Sequence, residues 1–357
     1  MSKYLWYSGA TDITGIAIAR ALNIESGKVR PRDKDIIIGW GIKTDENVDL
    51  GNIKVLNHPN AIRKNRNKLS ALDMLKADRN TSGNVAPFYT AAGVIRGIDR
   101  GDISLPLIGR KKRHQGGKGL WICLVKDHVA KAMADGADYF QDYINIKTEY
   151  RLHIFDGKII HAVKKVENPA EAGWINQRKE KILEHANKNG VNLDNAAVDY
   201  VLGRLVKEAT LPDQIVRSNS RGWKFSGVNV ASLSTPLKNA AIKSVEIMGL
   251  DFGAVDCALS ADDHPFIIEI NSGPGLQGTS FDKYVAAFRE KLTEMERRAA
   301  RPDERPVPRA RRAAGAAQRA VGADRAEAGA DDTALVHMMN AVRNPEEARR
   351  VLDLMGR

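Results

Sequence analysis

The amino-acid sequence predicts an α+β fold preceded by a small α/β unit, and three patterns support this. The first forty residues read as a strand (KYLWYSG), a helix (TDITGIAIARALN) and a second strand (DIIIGW), an order typical of α/β units. Asp156-Gly157 is a two-residue hairpin signal joining EYRLHIF to KIIHAVKKV. A second strand pair, GAVDCALS and PFIIEIN, is separated by the short turn ADDH, and helical segments lie between the two hairpins.

Helix ends are marked by capping residues. Thr11 or Asp12 is the expected N-cap of the first helix, and residues 66–77 form an amphipathic helix. Thr235 is the expected N-cap of a later helix, with Pro236 at its first position and Gly249 at its end.

The composition is that of an ordinary globular protein, with 357 residues, 43% of them hydrophobic and 28% charged. This length allows two or three domains. Cys123 and Cys257 lie in apolar runs and are expected to be buried thiols in a reducing compartment. The N-terminal apolar run is too short for a signal peptide and no later run approaches a membrane span, so we expect a cytoplasmic protein.

The net charge of +11 invites a nucleic-acid interpretation. Between Arg297 and Ala330, however, nine Arg face four acidic residues, in a segment otherwise rich in Ala, Gly and Pro. Much of the excess charge is therefore expected on a solvated tail. Binding of nucleic acid through this tail stays open as an alternative.

The stretch FIIEINSGPG carries the strongest chemical signal. A turn centred between Asp262 and Asp263 pairs Asp256 with Glu269 and places Asn271 on the same face. Facing carboxylates repel each other unless a cation lies between them, and oxygen ligands alone suit Mg²⁺ or Mn²⁺. The alternative is an acidic edge strand whose polar face lies in water. Ile267 argues against it, because this apolar residue lies on the same face of the strand as the polar residues.

The longer segment GLDFGAVDCALSADDHPFIIEINSGPGLQGTS resembles the C-terminal metal-binding signature of the ATP-grasp superfamily. It is especially similar to ligases that add glutamate to the C-terminus of a ribosomal protein. The resemblance implies an ATP-grasp fold, in which two α+β subdomains clasp ATP. It also implies that Asp256, Glu269 and Asn271 hold the Mg²⁺ or Mn²⁺ ions that bridge the ATP phosphates.

A glycine-rich loop precedes this signature in IGRKKRHQGGKGLWICLV. It resembles the mobile phosphate-covering loop of the family, which implies contacts to ATP from Gly116, Gly117 and Gly119. The sequence lacks a Walker motif. The family usually has a lysine on the preceding strand, whereas this chain has Arg110, followed by Lys111 and Lys112, so the phosphate-contacting cation stays open. The run RKKRH is also compatible with a nucleic-acid patch.

Further ATP contacts are implied by the same resemblance. Lys68 matches an ATP-contacting lysine at the start of a helix, against the alternative of an ordinary solvated lysine. YFQDYI matches the strand between the subdomains, whose slot for adenine would be lined by Gln141, Asp142, Tyr143 and Ile144. Glu149 would reach the ribose.

Three residues are assigned catalytic roles by the resemblance: Arg151, Arg217 and Asn219. Arg151 matches a phosphate-contacting arginine, and the run Arg217-Ser218-Asn219 matches one beside the transferred phosphoryl group; read alone, this run is a polar turn. The Asp156-Gly157 hairpin predicts that Glu149, Arg151 and His153 lie opposite Lys164, Ala162 and Ile160. We expect His153 to be a sheet histidine and not a catalyst.

The predicted domains follow from these assignments, with residues 1–60 forming the small α/β domain. Residues 61–136 form the N-terminal ATP-grasp subdomain and 137–298 the C-terminal one, with a helical insertion at 168–212. Residues 299–332 form an Ala/Arg/Pro-rich linker and 333–357 a short helical tail. The resemblance covers residues 60–290, and the insertion is longer than in the glutamate-adding ligases.

The function that the sequence predicts is an ADP-forming, ATP-dependent carboxylate–amine ligase acting through an acyl-phosphate. Its expected partners are a small-molecule or peptide carboxylate and an amine, without a membrane; the oligomeric state stays open. Two alternatives remain. One is a nucleic-acid-binding protein with an accessory or degenerate ATP-grasp core, and the other is an ATP-dependent phosphotransferase on the same fold.

Overall fold

The structure is a computed structural model that describes residues 1–9, 12–113, 119–167, 217 and 223–300. The chain divides into two compact units, one of Met1–Lys181 with Asp194–Arg289 and the other of Ile182–Leu193 with Glu290–Arg357. The insertion predicted at 168–212, the tail predicted at 333–357 and residue 301 onward lie outside the described residues.

The described strands form three sheets. In chain order the strands are β1 (Lys3–Tyr7), β2 (Glu25–Gly27), β3 (Ile36–Trp40), β4 (Lys54–Leu56), β5 (Phe88–Thr90), β6 (Leu107–Arg110), β7 (Leu120–Cys123), β8 (Tyr139–Asp142), β9 (Ile146–Phe155), β10 (Lys158–Glu167), β11 (Trp223–Gly227), β12 (Phe252–Ser260) and β13 (Pro265–Asn271). The α-helices are α1 (Ile13–Leu22), α2 (Pro59–Arg66), α3 (Lys68–Ala77), α4 (Ala91–Asp99), α5 (Lys126–Ala134), α6 (Thr235–Ile247) and α7 (Thr279–Ala300).

The first sheet is parallel, in the order β2-β1-β3-β4, and confirms the α/β pattern predicted for the first forty residues. Asp12 caps α1 by accepting a hydrogen bond from the N–H of Gly15 at 2.9 Å, as one of the two predicted caps. Thr11 lies outside the described residues. The strand Ile36–Trp40 is buried throughout, as expected for a strand of a parallel sheet covered on both faces.

The second sheet is antiparallel, in the order β5-β8-β6-β7, and the third is antiparallel, in the order β11-β10-β9-β12-β13. The third sheet confirms both predicted hairpins. In the β12–β13 hairpin Asp256 pairs with Glu269, as predicted. Nearer the turn, Leu259 pairs with Pro265, one residue away from the partner that a turn centred between Asp262 and Asp263 would give. A bulge between the Asp256 and Cys257 pairs corrects the offset.

The register predicted for the β9–β10 hairpin is wrong beyond its first two pairs. A bulge between Ile159 and His161 shifts β10 by one residue, so that His153 pairs with His161 and Arg151 with Val163. A one-residue slip exchanges the faces of a strand. The side chain that reaches Glu149 is therefore Lys165 and not Lys164.

One helix start also differs from its prediction, because Ser234 and not Thr235 is the N-cap of α6. The hydroxyl of Ser234 accepts from the N–H of Leu237 at 3.4 Å, and the helix begins at Thr235. Pro236 remains in the first turn, where its missing N–H costs nothing.

The buried Asn57 links the first sheet to the third. Its side-chain oxygen accepts from the N–H groups of Asp251 at 2.7 Å and Phe252 at 3.1 Å. Its side-chain nitrogen donates to the carbonyl of Phe252 at 2.9 Å, and its own N–H donates to the carboxylate of Asp251 at 2.6 Å. These bonds satisfy the polar groups of a fully buried amide and fix β4 against β12.

Both cysteines are buried, as predicted, and burial raises the pKa of the Cys123 thiol to about 12. Among the helices within the described ranges, none combines the length and the apolar character that crossing a membrane requires.

The buried His153 predicts a pH-dependent stability. It stacks on His161, and burial, with Arg151 and His161 as further causes, lowers its pKa to about 3. Since an unfolded histidine titrates near ~6.5, the unfolded chain binds one more proton between these values, and acidification should cost up to ~1.4 kcal/mol per pH unit. Urea unfolding from pH 6.5 to 4.5 should show a shallower loss of stability for His153→Phe than for wild type. Equal slopes would contradict this account.

Candidate functional site

Three charged residues form one row across the third sheet. Arg151 on β9 pairs with Asp256 on β12, which pairs with Glu269 on β13. The guanidinium of Arg151 donates two hydrogen bonds to the carboxylate of Asp256, from Nε to Oδ1 at 2.6 Å and from Nη2 to Oδ2 at 2.8 Å. This bidentate geometry is the strongest form of an arginine–carboxylate contact.

Asn271 joins the two carboxylates of this row. Its side-chain nitrogen donates to Oε1 of Glu269 at 3.1 Å and lies 3.5 Å from Oδ2 of Asp256. The three side chains that the sequence singled out as metal ligands therefore come together in the structure.

Lys68 reaches the same cluster from another element. It begins α3, and its Nζ lies 3.4 Å from Oε2 of Glu269. Its backbone N–H donates to the carbonyl of Lys112 at 3.0 Å, which connects α3 to the segment before the glycine-rich loop. The alternative of a lysine with no role beyond solvation does not fit this position, since the side chain is only 15% exposed.

Burial and ion pairing oppose each other in setting the pKa values of the site. Burial alone would lower the pKa of Arg151, but the carboxylate of Asp256, with smaller effects from Glu269 and Glu149, outweighs it and the pKa is raised. Burial raises the pKa of Glu149, and the ammonium group of Lys165 opposes this rise through a direct ion pair. The charges thus form two adjacent pairs, Arg151–Asp256 and Lys165–Glu149.

Arg217 approaches from a separate segment. Its Nη2 donates to the carbonyl of Ile146 at 2.5 Å, and its guanidinium carbon lies 4.6 Å from the ring centre of Trp223. Burial lowers its pKa, with Glu149 opposing the shift. Asn219, predicted beside it, lies outside the described residues.

The strand expected to receive adenine is β8 with the residues that follow it. Gln141 is buried and pairs with Phe88 and Ile108 of the neighbouring strands. The backbone N–H groups of Asp142 and Tyr143 donate to the carbonyls of Pro87 and Pro106. Burial raises the pKa of Asp142.

The three cations before the glycine-rich loop, Arg110, Lys111 and Lys112, differ in their surroundings. Lys112 donates its N–H to Oδ2 of Asp138 at 2.7 Å, and its Nζ lies 3.9 Å from Oδ1 of the same carboxylate. Arg110 and Lys111 instead line the cleft described below. Gly119 has a φ of +69°, which favours glycine, whereas Gly116 and Gly117 lie outside the described residues.

A cleft of about 1480 Å³ collects these groups. It is lined by every predicted site residue that the structure describes, namely Lys68, Arg110, Gly119, Gln141, Asp142, Tyr143, Ile144, Glu149, Arg151, Arg217, Asp256, Glu269 and Asn271. Lys165, Trp223 and Phe225 are among the further lining residues that sequence reasoning missed. The Asp156-Gly157 turn would have predicted Lys165 as a site residue only if the bulge in β10 had been known. For Trp223 and Phe225, the one signal in the sequence was their alternation in WKF, which places both on one face of a strand.

The cluster fits a divalent cation by the chemistry of its donors. The amide of Asn271 lies within hydrogen-bond distance of both carboxylates, and the oxygen atoms of two carboxylates and an amide suit Mg²⁺. Across the residues that the structure describes, no three or more His, Cys, Asp or Glu side chains gather into a metal-binding group, so the fit depends on Asn271. Each carboxylate also forms an ion pair, Asp256 with Arg151 and Glu269 with Lys68.

The three sheets and the cleft define an ATP-grasp fold, and comparisons with known proteins agree. Residues 209–292 match the family model described as a RimK-like ATP-grasp domain. The chain has the ATP-grasp fold and combines α and β elements as predicted. No curated protein sequence matches the chain.

Solved structures of ATP-grasp ligases resemble the chain over most of their length. D-alanine–D-alanine ligase from Bacillus anthracis complexed with ATP has a TM-score of 0.54 at 12% identity, covering 84% of this chain and 99% of that one. The ATP-grasp ligase PsnB complexed with a minimal precursor has a TM-score of 0.52 at 11% identity, covering 82% and 99%. The macrocyclase MdnC from Microcystis aeruginosa MRC, bound with precursor peptide MdnA, has a TM-score of 0.50 at 11% identity, covering 82% and 100%. At these identities the likeness shows the fold.

Proposed function

We propose that this protein is an ATP-dependent carboxylate–amine ligase that forms an amide bond through an acyl-phosphate and releases ADP. The observation that carries the proposal is the row of Arg151, Asp256 and Glu269, joined by Asn271 and Lys68 inside one cleft. Phosphoryl transfer needs positioning and charge stabilisation more than a dedicated nucleophile, and this cluster offers both.

The binding of ATP is assigned to the part of the cleft between the second and third sheets. Gln141 to Ile144 would line the adenine slot and Glu149 would contact the ribose. Lys68, Arg110 and the glycine-rich loop at Gly116, Gly117 and Gly119 would contact the phosphates. Lys111 is the neighbouring cation that also lines the cleft.

Asp256, Glu269 and Asn271 would hold Mg²⁺, with Mn²⁺ as an alternative. The metal would supply charge neutralisation on the phosphate oxygens. Arg151 would orient Asp256 through its paired hydrogen bonds and so keep the carboxylate in place. Lys68 and Asn271 would do the same for Glu269.

The reaction has two steps. A substrate carboxylate oxygen attacks the γ-phosphorus, the bond to the β,γ-bridging oxygen breaks, and ADP leaves. An amine nitrogen then attacks the acyl carbon, phosphate leaves and the nitrogen loses a proton. Arg217, together with Asn219, would stabilise the acyl-phosphate and the tetrahedral species that follows, because a guanidinium can offer two parallel donors.

The size of the cleft supports a second substrate beside ATP. Small-molecule pockets measure roughly 300–1,000 Å³, and about 1480 Å³ exceeds that range. One of the similar structures is bound with a precursor peptide, another is complexed with a minimal precursor, and a third is a D-alanine–D-alanine ligase. We therefore propose peptides and amino acids as the first substrate classes to examine. A cytoplasmic location would suit an ATP-consuming enzyme with free thiols.

The test is ADP release by the full chain with Mg²⁺ and ATP, measured against pools of peptides and amino acids and repeated with hydroxylamine as the amine. We expect ADP only with particular carboxylate pools, and a hydroxamate when hydroxylamine is present, because hydroxylamine captures an acyl-phosphate. A stable phosphorylated product without hydroxamate would favour the phosphotransferase. Failure of every pool, with no binding of Mg²⁺ and ATP, would exclude the proposed function.

A further inference from the structure

The edge strand β11 brings two aromatic rings against the two arginines of the site. Trp223 and Phe225 alternate along the strand and both line the cleft. The guanidinium carbon of Arg151 lies 4.8 Å from the ring centre of Phe225, and that of Arg217 lies 4.6 Å from the ring centre of Trp223. Both distances are within the range of a cation–π contact.

Phe225 lies beside both ion pairs of the site. It pairs directly with Lys165 on β10, whose Nζ is 6.0 Å from the ring centre. Lys165 contacts Glu149, and Arg151 contacts Asp256, so one ring touches the cation of each pair. The ring of Phe225 therefore lies against the same guanidinium that donates to Asp256.

Phe225 is also 46% exposed and belongs to the few exposed large hydrophobic residues in the part of the chain that the structure describes. It contacts Arg151 and also lines the cleft. Trp223, by contrast, is buried at 6% exposure, so the two rings differ in their access to a bound substrate.

We propose that Phe225 is a positioning residue that holds Arg151 and keeps water away from the acyl-phosphate, with Trp223 holding Arg217 in the same manner. This proposal rests on the proposed function. Without the ring, water competes with the amine: its oxygen attacks the acyl carbon, phosphate leaves, the original carboxylate is regenerated and a proton is released. ATP is then consumed without forming an amide.

The test compares Phe225→Leu, which removes the π face, with Phe225→Tyr, which keeps it. Both are assayed with a carboxylate pool that supports ADP release and with hydroxylamine as the amine. We expect the ratio of hydroxamate to ADP to fall by about fivefold in Phe225→Leu and to stay near wild type in Phe225→Tyr. Ser226→Ala is the matched control, because Ser226 neighbours Phe225 on β11 and does not line the cleft. A lower rate of ADP release with an unchanged ratio would overturn the proposal.

A second readout does not depend on the substrates. Phenylglyoxal reacts with exposed guanidinium groups, and mass spectrometry of the digested chain reports the rate at Arg151. Stacking on Phe225 predicts slow modification in wild type and Phe225→Tyr and a severalfold increase in Phe225→Leu. Equal rates in the three proteins would overturn the proposal even if the chain proved not to be a ligase. A failure to find substrates, with the predicted rates at Arg151, would instead count against the ligase function alone.

Discussion

Replacing Glu269 with glutamine is expected to lower ADP release by at least about 100-fold, the loss typical of removing one electrostatic stabiliser from an active site. Glutamine keeps the size of the side chain and its contact with Asn271, but it removes the negative charge that faces Lys68. The half-saturating concentration of Mg²⁺ should rise with the same variant, because an amide oxygen attracts a divalent cation less than a carboxylate does.

The control is Glu46→Gln, which makes the same chemical change at an exposed residue outside the cleft. Circular dichroism and thermal unfolding of both variants should stay close to wild type, since Glu269 is half-buried and its replacement has the same shape. If ADP release by Glu269→Gln matched that of Glu46→Gln under a titration of Mg²⁺, Glu269 would have no part in binding metal or phosphate.

The carboxylate and amide cluster of the site could be predicted from the sequence because its residues lie close together in the chain. Asp256 and Glu269 lie on the two strands of one hairpin, and alternation along each strand places Asn271 on the face of Glu269. The predicted pairing was correct although the turn itself begins one residue out of register. The bulge between the Asp256 and Cys257 pairs restores the pairing, and nothing in the residue types marks that bulge.

The same kind of irregularity made the other hairpin prediction wrong. Asp156-Gly157 identified the turn correctly, and the pairing of Phe155 with Lys158 follows from it. The bulge before His161 then changes which face of β10 meets the site, and this exchanges Lys164 for Lys165 as the partner of Glu149. A bulge depends on how the strand packs in the whole sheet, so a single hairpin sequence does not specify it.

Contacts between residues far apart in the chain could not be predicted from the sequence. Resemblance implied that Arg151 contacts phosphate, which stays a prediction, but nothing in the sequence indicated its hydrogen bonds to Asp256, 105 residues away. The stacking of Trp223 and Phe225 on the arginines likewise depends on how β11 joins the sheet. Long-range pairings of this kind are set by tertiary packing and leave no periodic pattern in the sequence.

Removing one partner of the Arg151–Asp256 pair should destabilise the fold strongly. The two side chains are 21% and 7% exposed, so removing the guanidinium leaves a carboxylate with little access to water. Loss of one partner from a buried pair costs about 3–5 kcal/mol. We therefore expect Arg151→Met to lower the free energy of unfolding in urea by about 3 kcal/mol, the lower end of that range, because Arg151 keeps some exposure.

Lys147→Met is the matched control, because Lys147 lies on the same strand and pairs with Asp263 at 3.0 Å, but the two side chains are 54% and 63% exposed. An exposed pair contributes about 0–1 kcal/mol, so this variant should unfold close to wild type. Adding Asp256→Asn to Arg151→Met should recover part of the lost stability, since the double variant no longer buries an unpaired charge. If Arg151→Met cost no more than Lys147→Met, the row across the third sheet would serve the chemistry of the cleft without stabilising the fold.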